Sequence, residues 1–228
     1  MPRIFRILPE TGIFHILTRG NNRQAVFQDN NDYQKYLKLV GQYKKEHHFF
    51  LYHYCLIPNH VHIILETTLE TNLAKLMKQL NLRYMYHYKR RYSYDGHLWQ
   101  GRFKSLLIDR DEYLIACGRY IELNPVRAGI VENPMKYKWS SYNYYAYGEK
   151  NFLVDRDPLY NGLGKDEIER QIEYRKGFVV RLKEINLNAR FLGNEVFIRK
   201  MEKEFNINNL KAMGRPRKIE KVEASPFS

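Results

Sequence analysis

Two short segments hold residues whose types and spacing could do chemistry. The first is Pro58-Asn59-His60-Val61-His62-Ile63-Ile64. Side chains alternate along a strand, so His60 and His62 share one face while Val61 and Ile63 take the other. Two imidazoles about 7 Å apart, two strand rises of ~3.3 Å, can converge on one divalent cation. The apolar partners mark the histidine face as the one turned away from the core. On its own, a His-x-His reads equally as two half-exposed polar residues. The second segment is ACGRYIELNPVRAG, residues 116–129. On a helix, Tyr113, Cys117, Tyr120 and Asn124 stack on one face, with Leu114 and Ile121 on another. A tyrosine hydroxyl is a possible nucleophile, and Asn124 lies one turn beyond Tyr120. In a chain with 19 tyrosines, a ring simply packed on a sheet is the plain alternative. Asn124 before Pro125 serves equally as a helix C-terminal residue.

The elements that must position these residues follow from the hydrophobic pattern. Gly12–Thr18 alternates loosely and ends at Gly20-Asn21-Asn22, a strand followed by a turn. Asp32–Glu46 places Tyr33, Tyr36, Leu37, Val40 and Tyr43 at helical spacing, with N-cap residues at Asn30–Asp32. Phe49–Ile57 and His60–Thr67 read as neighbouring strands broken by Pro58-Asn59. Thr71–Arg91 is the clearest helix, its stripe formed by Leu73, Leu76, Met77, Leu80 and Tyr84. Arg102–Asp109 reads as a strand and Asp111–Leu123 as a helix stopped by Asn124-Pro125. The order predicts an α+β sandwich, with helices covering one face of a largely antiparallel sheet. Residues 148–210 are expected to form a small helical appendage to a domain spanning 1–147. Residues 211–228, with Gly214-Arg215-Pro216-Arg217-Lys218, read as a basic tail.

Composition narrows the partner. The chain has 228 residues, 44% of them apolar, which supports a packed core. Lysine plus arginine number 38 against 25 acidic residues, a net charge of +13. A folded protein this basic handles a polyanion, either nucleic acid or an anionic membrane. Apolar runs such as Val61–Leu65 fall far short of the roughly 20 residues of a membrane span. The opening MPRIFRILPE lacks the apolar stretch of a secretory signal, so a cytoplasmic, nucleoid-associated location is expected. Cys55 and Cys117 are too few for a disulfide scaffold or a thiolate zinc site. His47, His48 and His53 read as ordinary histidines rather than ligands.

Between Leu82 and Lys104, the cations Arg83, Lys89, Arg90, Arg91, Arg102 and Lys104 face a lone acidic residue, Asp95. They are interleaved with Tyr84, Tyr86, Tyr88, Tyr92, Tyr94, Trp99 and Phe103. Cations track a phosphate backbone and flat rings stack on unpaired bases, which points to single-stranded nucleic acid. The alternative is a solvated basic helix face with part of the rings buried. Arg215 and Arg217 in the tail have the composition of a minor-groove hook.

Five phrases occur in order along the chain: HILTRGNNR (15–23), YCLIPNHVHIILE (54–66), LWQGRFKS (98–105), RYIELNPVRAGIV (119–131) and KWSSY (138–142). Together they resemble the single-tyrosine His-hydrophobic-His (HUH) transposases, and most closely the REP-associated tyrosine transposases. The resemblance spans roughly residues 10–147. It implies a ferredoxin-like fold with Tyr120 as nucleophile. It also implies that His60, His62 and Asn124 hold Mg²⁺ or Mn²⁺. The implied reaction is nicking and rejoining of hairpin or palindromic single-stranded DNA, such as repeated extragenic palindromes, through a 5′-phosphotyrosine. A monomer is implied more readily than a dimer, and nothing in the chain suggests a P-loop or a dinucleotide cofactor. The competing expectations are a non-catalytic nucleic-acid-binding descendant of a transposase, and an RNA-binding protein.

Overall fold

The computed structural model describes residues 7–177 and 189–208. Strand β1 (Gly12–Arg19) leads into helix α1 (Asn30–His47), then β2 (Phe50–Ile57) and β3 (His60–Thr67). Helix α2 (Leu73–Tyr92), strand β4 (Lys104–Ile108) and helix α3 (Glu112–Glu122) follow. Each of these three helices begins where the sequence supplies a short side-chain acceptor. Asp29 caps the amides of Asn31 and Asp32, Asn72 that of Lys75, and Asp111 that of Tyr113. Helices α1 and α2 end at His48 and Ser93, both in the left-handed region (φ 51° and 48°).

The strands are ordered β2-β3-β1-β4, all antiparallel, which is the ferredoxin-like arrangement of an α+β fold. After α3 come α4 (Asn124–Arg127), α5 (Tyr142–Tyr147) and α6 (Glu167–Lys176), then β5 (Phe191–Leu192) and α7 (Glu195–Phe205). Strand β5 joins the sheet beside β4 in the parallel sense. The outer edge of β2 is covered by its own chain: Leu56 N–H bonds Trp139 O, Ser141 N–H bonds Tyr54 O, and Asp155 N–H bonds Leu51 O.

The sheet is buried on both faces, and here the structure corrects the sequence expectation of helices on one face alone. Phe14, Ile16, Ile63, Leu65 and Leu56 face α1 and α2 across the main core. Ile13, Cys55, Ile57, Ile64 and Ile108 face the other way, against Leu114, Cys117 and Ile121 of α3 and against Tyr137. Cys117 is fully buried in that cluster, and Tyr113 and Tyr120 pack against it from the same helix, as their spacing predicts. An uncharged thiol lies more favourably against the sheet than in water.

Candidate active site

The β2–β3 turn is only Pro58-Asn59, with Ile57 paired to His60, so His60 opens β3. Residues 20–27 pin this turn. Gly20 N–H donates to Asn59 O at 2.8 Å, and Val26 and Phe27 N–H both donate to Pro58 O. A Cβ on Gly20 would lie 2.3 Å from Gln24 O, so glycine is needed for this approach. Asn22 and Arg23, at φ 48° and 59°, are consecutive left-handed residues, backbone strain stored beside the histidines.

His60 and His62 lie on one face of β3 with ring centroids 4.8 Å apart, nearly perpendicular. Asn59 Oδ1 accepts from His60 Nδ1 at 2.6 Å, which leaves the Nε2 lone pair free. His62 is fully buried, its Nδ1 2.7 Å from Nε2 of His15 on β1. Its own Nε2 is buried with no hydrogen-bond partner. A polar atom left so in a core costs about 1–3 kcal/mol, a cost that a ligand at that nitrogen would remove.

All three imidazoles are held neutral. Burial, then the neighbouring His60, pulls His15 down to about 3. Burial, then the Arg19 guanidinium, pulls His60 down to about 4. His62 is driven well below its ordinary value, first by burial and then by His15, His60 and Arg19. Neutral imidazoles with unengaged Nε2 atoms suit a divalent cation. Among the described residues, no cluster of three or more His, Cys, Asp or Glu is placed to hold a metal.

Helix α3 packs on the same sheet face, through the apolar cluster shared with β2 and β3. Tyr120 is half-buried at the edge of that cluster, with the Arg127 guanidinium 4.2 Å above its ring centroid. The Asn124 amide nitrogen donates to Ile121 O at 2.9 Å and to Tyr120 O at 3.4 Å. This caps α3 and leaves Oδ1, the ligating atom of an asparagine, outside those bonds.

A buried ionic knot fixes α3. His53 Nδ1 donates to Glu122 of α3 at 3.1 Å, and its Nε2 donates to Asp157 at 3.0 Å. Burial lowers the His53 pKa, but the hydrogen bonds and charges of Asp157 and Glu122 outweigh it and raise it to about 9. Ser141 Oγ and Tyr174 OH also donate to Glu122, at 2.6 and 2.7 Å. Gly118 lets α3 sit this low: a Cβ there would meet the His53 ring at 2.5 Å. Sequence inspection missed this knot because its members are scattered from 53 to 174. It also passed over His15, whose partner is 47 residues away.

The expected basic surface divides. Arg102 and Lys104 are exposed at the start of β4, which runs beside the end of β1 where Arg19 pairs with His60. Arg83 and Arg90 are exposed on α2 and Lys89 is half-buried there, on the sheet face opposite the histidines. Arg91 is engaged by Asp29 and Asp32 at 2.5 and 2.8 Å. Trp99 donates Nε1–H to Asn81 O and packs edgewise on Tyr36. Tyr84, Tyr88 and Phe103 are buried in the core, Tyr92, Tyr94 and Trp99 are half-buried against it, and Tyr86 is exposed. Arg215 and Arg217 lie outside the described residues.

Comparison with known proteins identifies the family and the fold. The family described as "Transposase IS200 like" matches residues 10–124, half of the chain. No curated protein matches. Among solved structures, a REP-associated tyrosine transposase bound to a REP hairpin is similar, with a TM-score of 0.55 and 18% identity, covering 68% of this chain and 94% of that one. A protein described as a transposase from Deinococcus radiodurans R1 aligns at a TM-score of 0.38 with 16% identity, over 54% of this chain and 96% of that one. The match over the strands and helices that carry His60, His62 and Tyr120 places this chain in the IS200-like transposase family.

Proposed function

We propose that this protein is a metal-dependent endonuclease and strand transferase. Its substrate in this reading is single-stranded DNA folded into hairpins, such as those of repeated extragenic palindromes. The observation that carries the reading is the neutral His60–His62 pair, with the unpartnered Nε2 of His62, on the sheet face that α3 and Tyr120 cover. His60 and His62 through Nε2, and Asn124 through Oδ1, are the atoms that would hold Mg²⁺ or Mn²⁺. Bound there, the ion supplies a Lewis acid for a non-bridging oxygen of the scissile phosphate.

Tyr120 is the nucleophile in this reading. Its oxygen attacks phosphorus as the P–O3′ bond breaks; the phenolic proton is lost to solvent and the departing 3′-oxygen takes one up. The products are a 5′-phosphotyrosine and a free 3′-hydroxyl, and attack by a second 3′-hydroxyl rejoins strands without ATP. Arg19, Arg102 and Lys104 would lead the backbone to the histidines, with Arg83, Lys89 and Arg90 holding flanking DNA. Arg215 and Arg217 would add contacts from the tail. The hairpin substrate is supported by the structurally similar transposase, which was solved on a REP hairpin. Action as a monomer is supported by the knot around Glu122, which ties the tyrosine helix to its own chain.

His60→Ala and His62→Ala should each abolish cleavage of a hairpin oligonucleotide in Mg²⁺ while leaving its affinity within about threefold. Affinity rests on phosphate contacts and stacking, which neither substitution touches. Wild-type cleavage by either variant would exclude the ligand pair.

A further inference from the structure

We propose that His15 is a positioning residue for the metal site, holding His62 in the one tautomer that can ligate a cation. The inference rests on the reading of His60 and His62 as ligands and adds a residue to it. The two rings meet edge to edge and nearly coplanar, with centroids 5.0 Å apart and planes 11° from parallel, as an in-plane N–H···N bond needs. Nε2 of His15 lies 2.7 Å from Nδ1 of His62. Both side chains are buried, at 2% and 1% exposure, so no solvent competes for that bond.

One proton sits between these two nitrogens, and its side decides what His62 can do. If His15 donates, Nδ1 of His62 is the acceptor and a neutral His62 must carry its proton on Nε2. That arrangement buries an N–H with no acceptor and removes the lone pair a cation needs. If His62 donates, its Nε2 is a bare lone pair aimed away from His15. The second arrangement fits a site that takes a cation. A ligating histidine commonly donates its other N–H to a fixed acceptor, and here the acceptor is an imidazole from the adjacent strand. His60 has the same design, with Asn59 Oδ1 as acceptor. The sheet register supplies the geometry: His15 pairs with Ile64 and His62 with Leu17, a diagonal on one face of β1 and β3.

The test is Mn²⁺ binding to the full-length protein without DNA, measured by calorimetry and by the electron paramagnetic resonance of free Mn²⁺. His15→Phe keeps a flat ring and removes the acceptor, and should weaken Mn²⁺ binding about 10–100-fold. His15→Gln returns an acceptor at similar reach and should bind within about threefold of wild type. Wild-type affinity in the phenylalanine variant, or equal loss in both, would overturn the positioning role. His62→Ala separates this from the underlying reading. If it binds Mn²⁺ as wild type does, or if wild type binds none, the ligand pair fails and His15 has nothing to position. Nitrogen-15 NMR of the imidazoles in wild type with Mg²⁺ needs no variant. His62 should be the Nδ1–H tautomer, and an Nε2–H signal would overturn the inference.

Discussion

What separates His62 from an ordinary core histidine is one ring nitrogen satisfied by a neighbour and the other left bare in a buried place. Tyr120 differs from the chain's core tyrosines in a comparable way. Tyr84 donates to Val26 O and Tyr145 to Tyr52 O from inside the core, while Tyr120 sits half-buried beneath a guanidinium. An Arg stacked on a ring near the surface contributes about 0.5–1 kcal/mol, here by holding the ring in one rotamer. Arg127→Gln should therefore slow covalent capture of DNA about two- to fivefold, with the melting temperature lowered by no more than about 4 °C. Single-turnover kinetics on a labelled hairpin would check this, and an unchanged rate would remove Arg127 from the site. At this scale the sequence was partly legible. The alternation of His60 and His62 and the helical stacking of Tyr120 and Asn124 are local and could be read. The partners of His62 and Glu122 could not, because each bond closes across tens of residues. Among the rings between Tyr84 and Phe103, the buried ones (Tyr84, Tyr88 and Phe103) could not be told apart for a related reason: a ring that packs and one that stacks on a base look alike until burial is known.

At the scale of elements, α3 is held low on the sheet by Gly118 and by the His53–Glu122–Asp157 knot. This knot titrates. His53 has a folded pKa near 9 against an ordinary value of 6.5, so its stabilisation is fully present below about pH 6.5 and is lost as pH rises through about 9. The melting temperature should fall across that window, by about 2–4 °C for each kcal/mol lost in a chain of this size. His53→Gln should start lower and show a flatter dependence between pH 6.5 and 9.5. Thermal melts of both proteins across the range would decide, and equal slopes would place the titrating group elsewhere. The elements themselves were readable. The helix over Thr71–Arg91 matches α2, and the strand over His60–Thr67 matches β3. Strand β5 was not, since two residues are too few for alternation to appear. The burial of the second sheet face was missed because α3, read alone, shows its stripe without showing what it covers.

In the whole molecule, one sheet face carries both the histidine pair and the helix of Tyr120. The four-strand core sets the histidines, α3 sets the tyrosine, and residues beyond 137 clamp α3 through Ser141, Asp157 and Tyr174. The strand order of the core follows from the alternation of strands and helices along the sequence. The return of the chain to cover the β2 edge and extend the sheet at β5 does not, because those contacts are backbone bonds from irregular segments. The central claim is that Tyr120 joins covalently to the 5′ side of a DNA break. The direct measurement incubates wild type and Tyr120→Phe with a hairpin oligonucleotide labelled at either end, in Mg²⁺ or Mn²⁺, and resolves the products on a denaturing gel. Wild type should shift the label on the fragment 3′ of the break into a protein-sized band and release the other fragment with a free 3′-hydroxyl. Tyr120→Phe, which keeps the ring and loses only the attacking oxygen, should fold normally and give no adduct. Adduct at the wild-type level from Tyr120→Phe, or cleavage by wild type with no adduct at all, would contradict the account.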